Sequence, residues 1–510
     1  MNQAFIRSII VAVFMAMAGL LTGCGGSDNN TANPPPAPVP ATTVIHYAVL
    51  AGAQENPPAL TAAAGTAVFS VTTGSGQIVG TVSTSGLVGN AAHIHIAEPG
   101  INGPIIIPLT QSTATSGVWI VPPNIILTGE QMAALNAGSL YANVHSDLLP
   151  GGQIRGQIGR TVLTAKLAGS QENPPTPSAA AGTGVFSVDP VTRALSARVV
   201  TSGITATAAH IHSGPIGVNA PVAIGFAQTA PGSGIWVPPA NTVLTPEQFQ
   251  SFSTGGTYFN VHSAAFPGGE IRGQIGRDVI DVVLAGAQEV PPVVGGGSAT
   301  SRIIVNPITR DLTGFITNNG VTATAGHIHN GLFGVNAPVL IPTTQSAAGS
   351  PVWNFAPTAL SEAQYRSLLF GNMYVNTHSA AFPGGEARAQ AGNIVRTGLL
   401  AGANEVPPTS STATGRGRAD LNPGTLGISI TVTTTGIAGA AAHLHIGAAG
   451  VNGPVIVPLT EGPVGTWTSA TGATLTQAQA VAFAAGGTYF NVHSAALPGG
   501  EIRAQAAGFD

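Results

Sequence analysis

The sequence predicts a mainly β protein: four tandem antiparallel Greek-key β-sandwich or barrel domains, each with one short helix. Three observations predict it. One set of motifs returns four times, at intervals of 115 to 117 residues, along a chain of 510 residues. Within each copy, short runs rich in Val, Ile, Thr and Tyr are bounded by Gly, Pro, Asn or Ser, the pattern of short strands closed by turns. Once per copy these runs are interrupted by Thr or Ser followed three residues later by Gln, the signature of a capped helix start. The period exceeds the roughly 20 to 50 residues of stacked solenoid repeats, so each unit has room for its own core.

The chain opens on a targeting segment, which stands outside the fold. Arg7 supplies a positive start, residues 9–20 an apolar run, and Leu21-Thr22-Gly23-Cys24 a small-residue site ending in cysteine. This resembles the lipobox of bacterial lipoproteins. The resemblance implies that residues 1–23 are a signal peptide and that Cys24 is acylated, becoming the mature N-terminus and the anchor in a lipid membrane. Gly25 stands where an inner-membrane retention signal carries Asp, which points to an exported protein of the outer membrane or cell surface. Cys24 is the only cysteine, so no disulfide forms and stability must come from packing. Residues 24–43 are polar and then Pro-rich, a tether. The domains follow at 44–160, 161–277, 278–396 and 397–510.

In the first domain the strand-like runs are 47–50, 66–71, 78–82, 92–96, 105–109, 118–121, 140–145 and 154–158. The helix begins after Thr128, whose capping partner is Gln131; Thr245 with Gln248, Ser361 with Gln364 and Thr476 with Gln479 repeat it. Gly138, Gly255, Gly371 and Gly486 provide the C-terminal stops. Pro-Gly-Gly near the end of each copy predicts a type II turn with its first glycine at the third position. Trp119, Trp236, Trp353 and Trp467, one per copy, are core candidates.

Charged residues make up 7% of the chain and the formal net charge is -4, with no basic cluster. Nucleic-acid binding therefore lacks its electrostatic footprint. Beyond the N-terminus no run approaches the roughly 20 apolar residues of a spanning helix. Gly-x-Ser-x-Gly, a phosphate loop, His-Glu-x-x-His and Cys-x-x-Cys are all missing, which removes the common hydrolytic and thiol chemistries.

Twelve of the thirteen histidines fall in two repeated motifs. His-x-His occurs at His93 and His95, His210 and His212, His327 and His329, and His443 and His445. Asn-x-His follows about fifty residues later at His145, His262, His378 and His493. On a strand, residues two apart share a face, so each His-x-His pair can meet one ion. A third imidazole from a neighbouring strand completes a three-nitrogen site suited to Cu or Zn. Two other uses stay open: a hydrogen-bond network with Asn143, Ser146 and the nearby glutamate, and direct recognition of an anionic ligand.

Glu55, Glu172, Glu289 and Glu405 sit in a repeated Gln/Asn-Glu-x-Pro-Pro motif, and Arg155, Arg272, Arg388 and Arg503 close each copy. In a chain so poor in charge, a Glu to Arg pair pinning the first segment of a domain to its last strand is the expected use. The alternative is an arginine facing the histidines to attract an anion.

The combination Ala-His-Ile-His, Gly-Val-Asn-(Gly/Ala)-Pro-Val, Asn-Val-His-Ser and Pro-Gly-Gly-Glu-Ile-Arg-Gly-Gln resembles the CHRD family, over all four copies. That resemblance implies extracellular placement, a non-enzymatic binding or structural role and an extracellular or periplasmic partner; it implies no reaction. A more distant similarity joins His-x-His, the later Val-His and the final Gly-Gly-x-x-Arg to the order of the copper ligands and anion-guiding arginine in copper/zinc superoxide dismutases. It implies that His93, His95 and His145 match three copper ligands and Arg155 the arginine, with equivalents in each copy, and that redox activity is the alternative function. The bridging histidine, zinc loop and cysteine pair of that family have no counterpart here.

Overall fold

The computed structural model describes residues 42–508. The signal segment, Cys24 and the tether up to residue 41 lie outside the described residues.

In the first copy, β1 (Thr43–Ala51), β2 (Ala64–Thr72) and β3 (Ile78–Ser85) make an antiparallel meander. The chain then crosses to β4 (Ala91–Ile96) and returns through β5 (Ile105–Pro108) and β6 (Thr110–Gln111), one strand interrupted at Leu109, to β7 (Val118–Ile120) beside β3. After α1 (Gly129–Ala137), β8 (Leu140–His145) pairs with β4, and β9 (Ile154–Gln157) joins β8 to β1 through Ala51 and Arg155. Because β3 leads to β4 across the positions filled by β5 to β7, the order is a Greek key. The second and fourth copies are closed barrels of the same order, and the third closes through the bridge between Ala285 and Arg388. The predicted mainly β, four-domain class is the observed one, and each predicted strand run of the first copy overlaps a strand, with 105–109, 118–121 and 154–158 each running one residue past its end.

Alternation along the strands fills each barrel. Phe69, Val82, Ile94, Trp119, Val144 and Ile154 all point into the first core. Copies trade volume across this core: Ala67 and Ala142 in the first are replaced by Gly184 and Phe259 in the second and by Gly417 and Phe490 in the fourth. A Cβ on Gly184 would stand 2.4 Å from the Phe259 ring, so each phenylalanine is accommodated only because the residue facing it lost its side chain. Trp119, Trp236 and Trp467 are buried core residues, and Trp353 packs partly buried against the third core.

All four helices carry both halves of the capping box, and Gly138, Gly255, Gly371 and Gly486 take positive φ at their ends. The Pro-Gly-Gly turn departs from expectation. The bond from Gly152 N to Leu149 O places Pro150 and Gly151 at its centre, yet the positive φ, 134°, falls on Gly152 rather than Gly151, so the turn is not type II. The conformation that needs glycine lies one residue later, where the site also leaves no room for a side chain: a Cβ on Gly152 would lie 2.6 Å from Glu55 Oε2 and 2.8 Å from Asn143 Nδ2.

The copies also interlock. Ala62 of the first copy is part of the third core, and Phe333 of the third copy is part of the fourth. Arg396, at the junction of the third and fourth copies, is buried and donates to the carbonyls of Phe370, Val395 and Ala484 and to Asn372 Oδ1. It thus ties the end of the third copy's helix to the end of the fourth's. Replacing it strands buried acceptors, which costs on the order of 1–3 kcal/mol each way such a bond is lost. Arg396→Ala is expected to lower the chemical-denaturation midpoint, whereas an unchanged midpoint would mean that the junction carries no stability.

Candidate metal centre

The same alternation that fills the core places a second set of side chains on the outer face of β4, β8 and β9. With Ala92 and Ile94 inside, His93 and His95 face out; with Leu140, Ala142 and Val144 inside, Tyr141, Asn143 and His145 do too. Register aligns them in rows. His93 stands opposite Asn143, which stands opposite Arg155; His95 stands opposite Tyr141, which stands opposite Gln157. A bulge between Ile94 and His95, repeated in every copy, shifts the pairing to the next strand at this point.

The structure brings all twelve motif histidines together in four groups of three, with the candidate ligand atoms of each group within 4.8 Å of one another. His93 Nδ1 lies 3.2 Å from His145 Nε2, and the other copies repeat this at 3.1 to 3.2 Å. His95 donates from Nδ1 to Gly103 O at 2.9 Å, and His145 donates from Nδ1 to Pro150 O at 2.8 Å. A carbonyl can only accept, so Nδ1 carries a proton in both rings and Nε2 is the nitrogen left to meet an ion. Holding the second ring nitrogen on a carbonyl is how metal-binding histidines are oriented. The Nε2 atoms of His95, His212 and His445 are buried with no hydrogen-bond partner. Burial, and then the neighbouring imidazoles, push the pKa of His93 below its usual value; the same causes bring His327 and His443 down to about 4. His95, His212, His329 and His445 are lowered first by burial as well. These rings are neutral at neutral pH, the form that binds a metal.

Under the triad lies a stack. The ring of Tyr141 is parallel to that of His95 at 4.8 Å, and the Arg155 guanidinium covers its other face at 3.4 Å. Tyr141 Oη accepts from Gly103 N, the residue whose carbonyl orients His95. Arg155 is 1% exposed and donates to Asn102 Oδ1, Glu98 O and Gln157 Oε1. Arg272, Arg388 and Arg503 stand in the same stack over Tyr258, Tyr374 and Tyr489. These arginines hold the fold around the site and do not face solvent.

Glu55 is buried too, but no Glu55 to Arg155 pair within ion-pair distance occurs among the described residues. Instead Glu55 Oε2 accepts from Asn143 Nδ2 at 3.3 Å, while Arg155 acts on it through space. Burial outweighs that charge and that bond, and pushes the Glu55 carboxyl up to about 8; Glu172, Glu289 and Glu405 rise to about 7 for the same reason.

Sequence reasoning did not single out the tyrosines. The signal was present: four of the six tyrosines stand two residues before Asn-x-His, in a Tyr-x-Asn-x-His pattern that recurs in every copy. Asn102 was also passed over as a site residue; it links Arg155 to Asn56 O of the glutamate motif.

The family model for the CHRD domain matches residues 47–158, 163–275, 280–391 and 397–506. No curated protein gives a match. Among solved structures, the crystal structure of Dscam1 isoform 6.44, N-terminal four Ig domains, aligns over 84% of this chain and 94% of that chain at 10% identity and a TM-score of 0.13, a likeness too small to bear on the fold.

The raised glutamates set a pH dependence. Between its ordinary 4.5 and about 8, Glu55 keeps its proton in the fold and loses it in the unfolded chain, so stability is full below that window and falls as pH rises through it. Histidines lowered by burial, such as His93 and His95, contribute the opposite slope only below 6.5, since above it they are neutral in both states. Metal-free protein should therefore lose stability between pH 6.5 and 8, by up to about 1.4 kcal/mol per pH unit for each retained proton. Denaturant titrations across that range should give a shallower slope for Glu55→Gln; an identical slope would place the ionised glutamate in the fold.

Proposed function

The chain belongs to the CHRD domain family, with four copies in tandem, and from that premise we propose that it is an exported, lipid-anchored binding protein whose barrels each hold one copper or zinc ion. One observation supports the ion above all. The buried, unpartnered Nε2 of His95, like its equivalents His212 and His445, converges on two further ring nitrogens within coordinating reach. Leaving such an acceptor buried and unsatisfied costs stability, which a cation returns. Imidazole nitrogens of this number suit Cu or Zn, whereas Mg or Ca would call for oxygens. The His93, His95 and Asn143 rows would hold the ion on a rigid sheet face rather than on loops, and the Tyr141 and Arg155 stack would fix the ring of His95.

The anchor rests on Leu21-Thr22-Gly23-Cys24, and the tether behind it would hold the barrels away from an outer membrane or cell surface. The role is binding rather than catalysis, toward an extracellular or periplasmic partner. Dismutase-like redox chemistry is the second reading. It is favoured by His93 and His145, which are only half-buried and leave one side of the site open, but Arg155 lies beneath Tyr141 and has no access to an incoming anion.

Two measurements test this. Soluble protein loaded with Cu(II) or Zn(II) and then desalted should carry one ion per intact triad by elemental analysis, and His95→Ala with His145→Ala should remove the share of the first copy alone. A wild-type chain free of metal, with variants that merely lose stability, would overturn the ion. Separately, Cys24→Ser should move the protein from the membrane fraction to the soluble exported fraction; unchanged fractionation would overturn the anchor.

A further inference from the structure

The amide of Asn143 has not been given a use by the histidine triad. It is 4% exposed and lies on β8 between Tyr141 and His145, on the same outer face. Its Nδ2 is taken by Glu55 Oε2. The same glutamate to asparagine bond holds Asn260, Asn376 and Asn491. With the nitrogen turned to the carboxyl, the oxygen is left for another partner. In three copies that oxygen, on Asn143, Asn260 and Asn491, is buried with no partner. In the third copy it reaches the triad: Asn376 Oδ1 lies 3.0 Å from His329 Nε2 and 3.1 Å from His378 Nε2.

Those two ring nitrogens are the ones left over when Nδ1 donates to a carbonyl, here Ala337 O and Pro383 O. The amide oxygen thus stands at hydrogen-bond distance from two ring nitrogens that have no proton to give it, His378 Nε2 being in turn 3.2 Å from His327 Nδ1. Acceptors repel one another in such an arrangement, and buried acceptors cost stability. A cation at the meeting point satisfies all three atoms at once, and the oxygen then brings the set to the four donors that Zn prefers.

We propose that the side-chain oxygens of Asn143, Asn260, Asn376 and Asn491 are the fourth donor to the cation held by each histidine triad, with the glutamate of the same copy acting as the positioning residue that turns the amide. This rests on the triad holding a metal. It makes each site a set of three nitrogens and one oxygen, and it gives the Gln/Asn-Glu-x-Pro-Pro motif a purpose: the motif carries the carboxyl that orients the donor. Gly152, whose missing Cβ makes room for both Glu55 and Asn143, belongs to the same device.

The test uses the full chain with all four asparagines replaced together, titrated with Zn(II) against a competing chelator and examined with Cu(II) by electron paramagnetic resonance. The Asn→Leu protein should keep one ion per barrel and a three-nitrogen hyperfine pattern, bind on the order of 10- to 100-fold more weakly, and show altered Cu(II) parameters. The Asn→Asp protein should bind more tightly than the Leu protein, with parameters changed from wild type because a carboxylate replaces an amide. Leu variants with wild-type affinity and spectrum would overturn the proposal while leaving the triad intact, as would an amide turned the other way, which predicts that same outcome. Should the Leu protein fail to fold, the Asp protein decides alone, since a wild-type Cu(II) spectrum from it excludes direct ligation. A wild-type chain that binds no metal is a different result and removes the triad reading itself.

Discussion

Strands β4, β8 and β9 divide their side chains between the barrel interior and its outer face, and the site is what the outer half of that division contains. Ile94 and Val144 hold the strands against the core, so the positions of His93, His95, Asn143 and His145 follow from apolar packing that has no chemistry of its own. A one-residue slip would exchange the two sets, burying imidazoles in the core and exposing Ile and Val. Register is therefore under strong constraint, and a site that needs its donors fixed to within fractions of an ångström is built where register is best defined.

The second constraint is charge. A chain with 7% charged residues nonetheless buries five arginines almost completely, the stacked one in each copy and Arg396. Arg155 is stabilised by the face of Tyr141 and by carbonyl and amide oxygens, which spread its charge without a carboxylate at contact distance. Glu55, close enough to feel that charge, is held on Asn143 instead. Arginine and glutamate thus serve opposite ends of one network: the arginine locks the tyrosine that supports His95, and the glutamate holds the asparagine beside it.

Much of this was legible in the sequence. The repeat interval, the strand runs of the first copy and the capped helix all followed from local pattern, since turns, caps and alternation are set by neighbouring residues. His93 and His95 share a face because a strand has a period of two, and the recurrent Asn-x-His identified the third imidazole. What could not be read depended on which strands lie side by side. The Tyr141 to Arg155 stack requires β8 next to β9, and the convergence of Asn143 on the histidines requires β4 next to β8, both consequences of the Greek-key crossover. In Pro-Gly-Gly the glycine that takes positive φ is the one packed against Glu55, about a hundred residues earlier in the chain, a neighbour that no local pattern reveals. The interlocking of copies through Ala62, Phe333 and Arg396 likewise left no local pattern.

The family places four such barrels in one chain, and the volume trades between Gly184 and Phe259 or Gly417 and Phe490 show cores that diverged while the outer-face residues stayed the same in all four copies. The account stands or falls on where an ion sits. The most direct measurement is an anomalous-difference map from crystals of the full chain loaded with Cu(II) or Zn(II). It should contain one peak per barrel, about 2.0 to 2.1 Å from the ring nitrogens, at His93 Nδ1, His95 Nε2 and His145 Nε2 and their equivalents. Loaded crystals with no peak at the triads, or with metal only on scattered surface groups, would contradict it.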